Sequence, residues 1–122
     1  MLKAPPRQPP PTPLPAAVFQ ILVALADQDR HGYAIMQDVA ARTTGRMKLS
    51  PGTLYGSIKR MLDDELIVEL DERPDPEDDD ERRRYYRLTP FGREVALAEA
   101  DRLTTLLRQA RAAGLTPRRV TS

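Results

Sequence analysis

The chain has 122 residues, 40% of them hydrophobic, and a formal net charge of +1, which is the size of one small domain. It contains no cysteine, so disulfides and thiolate metal sites are excluded, and no apolar run approaches the ~20 residues that span a bilayer. The near-neutral total hides a sorted chain: residues 1–62 carry eight basic and three acidic residues, 63–81 one and twelve, and 82–122 ten and three.

Two basic blocks thus flank an acidic one. A nucleic-acid partner needs a local basic surface, not a basic average. Seven of the twelve prolines fall within residues 4 to 15, where an apolar signal core would otherwise stand, and a cytoplasmic location is expected. Proline fixes φ and removes a backbone donor, so residues 1–13 are expected to form a disordered arm. Leu14, Ala17, Val18, Ile21, Leu22 and Leu25 then recur at helical spacing and predict a first helix over 14–27. Asp27 to Arg30 break it. A second helix is expected from about Gly32 to Thr43, with Ala34, Ile35 and Val39 turned inward beside Tyr33 or Met36, and with Gly45 as its stop.

Ser50-Pro51 is a helix start: the hydroxyl caps a free N–H, and proline suits the first helical position. A third helix of about residues 50–64 follows. Leu54, Ile58, Met61 and Leu62 form its narrow apolar stripe. Gly52, Thr53, Gly56, Lys59 and Arg60 fall on the opposite side. Small residues let a helix enter a groove closely, and basic ones meet phosphates or guanine edges. Leu66 to Leu70 and Arg84 to Leu88 are rich in strand formers, and the stretch between them has turn formers and no apolar residue. This predicts a two-stranded hairpin with a long acidic loop over 75–81. Thr89-Pro90 repeats the cap-and-proline start, and a last helix is expected over 90–113 with Gly114 as its stop. At 1.5 Å per residue it spans roughly 36 Å. A small body cannot cover that length, so its apolar positions Phe91, Val95, Ala98, Leu103, Leu106, Leu107 and Ala110 are expected at a homodimer interface.

The fold class predicted is mainly α, an α+β winged helix. A three-helix winged helix-turn-helix with a two-stranded wing occupies residues 14–89, a dimerisation helix 90–113, and a flexible tail 114–122. The chain resembles the PadR family of transcriptional regulators. The resemblance rests on His31-Gly32-Tyr33 opening helix 2, on Ser50-Pro51-Gly52-Thr53-Leu54-Tyr55 opening helix 3, and on Leu66-Ile67 before the wing. Arg84-Tyr85-Tyr86-Arg87-Leu88-Thr89 with Gly92 completes it, and the match covers about residues 14 to 112. It implies a homodimeric, repressor-type regulator that binds a pseudo-palindromic operator in double-stranded DNA, paired through the C-terminal helix, in some members together with helix 1. It also implies that helix 3 is the recognition helix and that Tyr55 touches the DNA backbone. Some relatives hold flat aromatic drugs between tryptophans; this chain has none, so that mode does not carry over and any small-molecule effector is unidentified.

The residues expected to contact DNA are Ser50, Thr53, Tyr55, Ser57, Lys59 and Arg60 on helix 3, with Arg82 and Arg84 at the foot of the hairpin. Arg82 and Arg84 point together because alternate strand residues share a face. The acids of the loop lack the glycine of a calcium-binding loop. His31 is the only histidine, so neither a histidine metal site nor a Ser-His-Asp triad can form. The glycines spell no phosphate loop. No enzyme, metal or cofactor is expected. The competing reading is a winged-helix adaptor that docks another protein through the acidic loop or the proline arm.

Overall fold

A computed structural model describes residues 8–71 and 84–116. Helix α1 covers Ala16–Ala24, strand β1 Arg30–His31, helix α2 Gly32–Arg42, helix α3 Pro51–Asp63, strands β2 Ile67–Glu69 and β3 Tyr85–Leu88, and helix α4 Pro90–Ala112. The fold is a winged helix, with α1 packed against α2, α3 and α4.

Helix α1 begins two residues later than its periodicity predicts and ends three residues sooner. Pro15 stands at its N-cap with ψ of 140°, and its ring keeps Leu14, the residue before it, out of the helical region. Leu14 is buried all the same, held from outside the helix: its N–H donates to a carboxylate oxygen of Glu99 at 3.2 Å. The end of the arm therefore packs. Pro10, Pro11 and Pro13 line a pocket of about 370 Å³ together with Val18, Arg60 and Met61. The first seven residues of the arm lie outside the described residues.

Each remaining helix starts on a side-chain cap. The Nδ1 of His31 accepts from the Ala34 N–H at 3.1 Å, and its ring meets Tyr85 edge-on with centroids 5.2 Å apart. Thr89 Oγ1 accepts from the Gly92 N–H at 2.8 Å and also donates to the Glu65 carbonyl at 2.7 Å. Such caps contribute about 1 kcal/mol each. The second of these ties α4 to the end of α3, and the join is tight: a Cβ on Gly92 would overlap the Leu66 carbonyl.

The sheet has three strands and not the expected two, in the order β1-β3-β2, both pairings antiparallel. Ile67 faces Leu88 and Glu69 faces Tyr86 across β2 and β3, while Arg30 faces Tyr86 from β1. A two-residue strand made of Arg and His carries no alternating pattern, so only its partner reveals it. The core gathers Val18, Ile21 and Leu22 of α1, Ile35 and Val39 of α2, Leu54, Ile58 and Met61 of α3, and Leu66, Ile67, Tyr86 and Val95 beyond them. Of the two alternatives on α2, Met36 packs against this core and Tyr33 stands exposed.

The apolar face of α4 divides. Gly92, Val95 and Glu99 are buried, and Phe91 and Ala96 pack on the core. Val95, expected at an interface between copies, is thus buried inside the chain and Phe91, expected there too, is half-buried against the core: the capped start of α4 lands on Leu66 and presses the first turns onto the body. Leu103, Leu106 and Leu107 lie on the same helical face but remain exposed, and Ala110 is half-buried. Ala98 is exposed off that face.

Candidate nucleic-acid interface

Helix α3 shows two contrasting sides. Leu54, Ile58 and Met61 point into the core. Gly52, Thr53, Tyr55, Gly56, Lys59 and Arg60 are exposed, and Ser57 is half-buried. Ser50 opens the helix: its Oγ accepts from the Thr53 N–H at 3.1 Å and lies 3.1 Å from the Thr53 hydroxyl. A Cβ on Gly52 or Gly56 would meet nothing within 4 Å. Packing within the chain therefore does not demand these glycines; they keep the outer face low. Lys59 and Arg60 have no ion-pair or hydrogen-bond partner among the described residues. The face is low and polar at its start and basic further on, and its carboxylates, Asp63 and Asp64, come only in the last residues.

Tyr55 sits at the edge of that face, half exposed, with its ring against the start of α2: a Cβ on Gly32 would come within 2.7 Å of the Tyr55 hydroxyl. Gly32 therefore makes room for Tyr55, joining two parts of the sequence pattern that lie far apart in the chain. Nearby, burial pushes the Tyr86 phenol above its ordinary value of 10.0; Glu69 and Tyr55 add to the shift and Arg84 opposes it. Tyr86 is accordingly a neutral donor at any working pH.

Arg84 extends from the start of β3, exposed, with Nη1 3.2 Å from Glu69 Oε1 across the hairpin. An exposed pair of this kind contributes about 0–1 kcal/mol and yields readily to a stronger anion. Arg82 and the acidic loop over 75–81 lie outside the described residues.

Some features escaped the sequence reading. Arg87 grips Asp29 with two hydrogen bonds, at 3.1 and 2.8 Å, across 58 residues of chain. Arg30 donates to the Ala24 carbonyl at 2.7 Å and lies 3.4 Å from Asp38. Glu99 is a buried carboxylate in the apolar stripe of α4, held below its ordinary value of 4.5 chiefly by hydrogen bonds from Arg102 at 2.6 and 2.8 Å. The i,i+3 spacing of Glu99 and Arg102 permits their pair, but no local pattern signals that Arg87 meets Asp29 or that Glu99 is buried. Arg46 and Lys48 stand exposed in the turn before α3; the alternation of Met47 and Leu49 with charged neighbours was their visible sign. Among the described residues no cluster of three His, Cys, Asp or Glu could hold a metal ion, and no helix is long and apolar enough to cross a membrane.

A small three-stranded sheet beside a capped helix with one buried and one outward side, followed by a long terminal helix, defines a winged helix-turn-helix protein. The model of the Transcriptional regulator PadR-like family matches residues 21–98, and the chain belongs to that family. It is 33% identical over 94 residues to the transcriptional regulator Rv3488 of Mycobacterium tuberculosis, covering 77% of this chain and 81% of that one. It is also 37% identical over 90 residues to an uncharacterized 37.1 kDa protein in transposon TN4556 of Streptomyces fradiae. That match covers 74% of this chain but spans only 24% of the relative's length. A PadR family transcription regulator of Clostridium difficile R20291 has the same fold, with a TM-score of 0.65 at 24% identity, covering 79% of this chain and 95% of that one.

Proposed function

We propose that this protein is a dimeric, sequence-specific DNA-binding transcriptional repressor that acts in the cytoplasm on a pseudo-palindromic operator. Helix α3 reads base edges in the major groove, with Thr53, Ser57, Lys59 and Arg60 as its contacts. Ser50 and Tyr55 meet the backbone at its edges, and Arg84, with Arg82, holds phosphates beside the wing. The observation that carries this reading is the outer side of α3: low, basic, capped on a rigid core, with Lys59 and Arg60 unpaired among the described residues. Two copies pair through the overhanging part of α4, where Leu103, Leu106 and Leu107 continue an apolar face past the body. A C2 pair of this kind places two reading helices on two half-sites.

The test is duplex binding by the full chain and by Lys59→Ala and Arg60→Ala variants, at several salt concentrations. Loss of a bidentate guanine contact costs about 1–3 kcal/mol and relaxes one base position. Loss of a phosphate contact weakens all duplexes alike and lowers the salt slope by about 1. Wild-type affinity in both variants would remove α3 as the reading element. A flat salt response from the wild type would hand the fold to the adaptor reading instead.

A further inference from the structure

The turn between α2 and α3 is built around two cations that the residues around it do not use. From Arg46 to Ser50 the chain alternates: Arg46, Lys48 and Ser50 are exposed, Met47 packs on the core, and Leu49 is buried. Arg46 and Lys48 therefore share one side of an extended segment that leads into the cap of α3.

The backbone behind them is pinned. Thr43 Oγ1 accepts from the Met47 N–H at 3.0 Å and donates to the Val39 carbonyl at 2.8 Å. Thr44 and Gly45 take φ of 50° and 78°, and the Gly45 N–H donates to the Ala40 carbonyl at 2.7 Å. With Met47 and Leu49 as anchors, the two cations ride on a fixed rail.

Their lack of partners stands out against the rest of the body. Arg30, Arg42, Arg84, Arg87 and Arg102 each face a carboxylate, and Arg93 donates to the Ala26 carbonyl. Arg46 and Lys48 have no ion-pair or hydrogen-bond partner among the described residues, and neither do Lys59 and Arg60 on the helix they lead into. Arg108 and Arg111, similarly unpaired, stand apart on the overhanging end of α4. Among the described residues the other arginines of the body are paired, and the four open cations around one helix are presented to an anion from outside.

We propose that this turn is a second DNA-contacting element. Arg46 and Lys48 hold the phosphate backbone beside the groove that α3 enters. The proposal rests on the DNA-binding reading above and adds a division of labour to it. Two cations one strand-step pair apart, about 7 Å along the chain, suit a row of phosphates better than one carboxylate. Phosphate contacts carry affinity without sequence information. The turn thus supplies a grip common to all duplexes, and α3 supplies choice among them.

The experiment uses a duplex of random sequence, titrated across a range of sodium chloride concentrations. It compares the full wild-type chain, Arg46→Ala with Lys48→Ala, and Arg46→Lys with Lys48→Arg. The slope of log affinity against log salt changes by about 0.9 for each phosphate contact. The alanine pair is expected to bind with a slope shallower by about 2, and the charge-keeping pair with the wild-type slope, which also shows that the turn tolerates substitution. An unchanged slope in the alanine pair, with a wild type that binds and loses affinity through Lys59→Ala and Arg60→Ala, overturns the turn's role and leaves the reading of α3 standing. A wild type that binds no duplex overturns both.

Discussion

The two halves of α4 share one helical face and meet opposite surroundings. Over Pro90 to Arg102 that face carries Gly92, Val95 and Glu99 and is buried against the body; over 103–112 it carries Leu103, Leu106 and Leu107 and stands in solvent. The more apolar half is the one left uncovered. Burial on the body is decided by where the cap of Thr89 sets the helix down, and not by how hydrophobic each turn is. Three exposed leucines on one face of one helix, Leu103, Leu106 and Leu107, make a patch that a lone soluble chain rarely leaves open. This contrast between a seated half and an overhanging half supports pairing of two copies through the overhang.

The contrast breaks most sharply at Gly92. Gly92→Ala forces a methyl into the Leu66 carbonyl, and overpacking against backbone is expected to lower stability by about 2–4 kcal/mol. In a domain of this size that moves the melting temperature by roughly 10 °C or more, and a mutant melting with the wild type would show the seat to be loose. Val95→Ala against Leu106→Ala sharpens the comparison. Val95 is 7% exposed and Leu106 47%, so Val95→Ala should cost about 1–3 kcal/mol of chain stability at every protein concentration. Leu106→Ala should leave the chain folded but lower the melting temperature only at concentrations where the wild type pairs, so that its melting temperature depends less on protein concentration than the wild type's. Equal, concentration-independent losses would end the division between halves.

The smallest effect is at the boundary, in Glu99. Its carboxyl is lowered chiefly by Arg102, with the Leu14 N–H assisting and burial opposing. A lowered carboxyl adds stability above its ordinary value and loses it as pH falls through the folded value. The wild type should therefore weaken below about pH 5, and Glu99→Gln should show a flatter acid limb. Parallel acid curves would show that Glu99 contributes no pH dependence.

Local signals were readable where they were self-contained. Ser50-Pro51 and Thr89-Pro90 announce their helices by chemistry confined to four residues, and both act as caps in the structure. The stripe of Leu54, Ile58 and Met61 names the inner side of α3 without outside help. What could not be read depends on partners far along the chain. Strand β1 exists because β3 pairs with it. Periodicity on α4 showed an apolar face but not that Leu66 would seat half of it. The outward side of α3 was legible as an exposed polar and basic face for the same reason its core side was: one rotation of 100° per residue sorts both.

Glu99 is where α4 parts from the body, and from Arg102 onward the helix is a free beam about 15 Å long. In the proposed pair, each copy's reading helix is mounted on such a beam. A tilt of ~10° at this root displaces the far end by roughly 3 Å, close to one base-pair step along the duplex. The separation of half-sites that such a pair can straddle is then a matter of bending stiffness, set at the root by one carboxylate clamped between Arg102 and the backbone of Leu14.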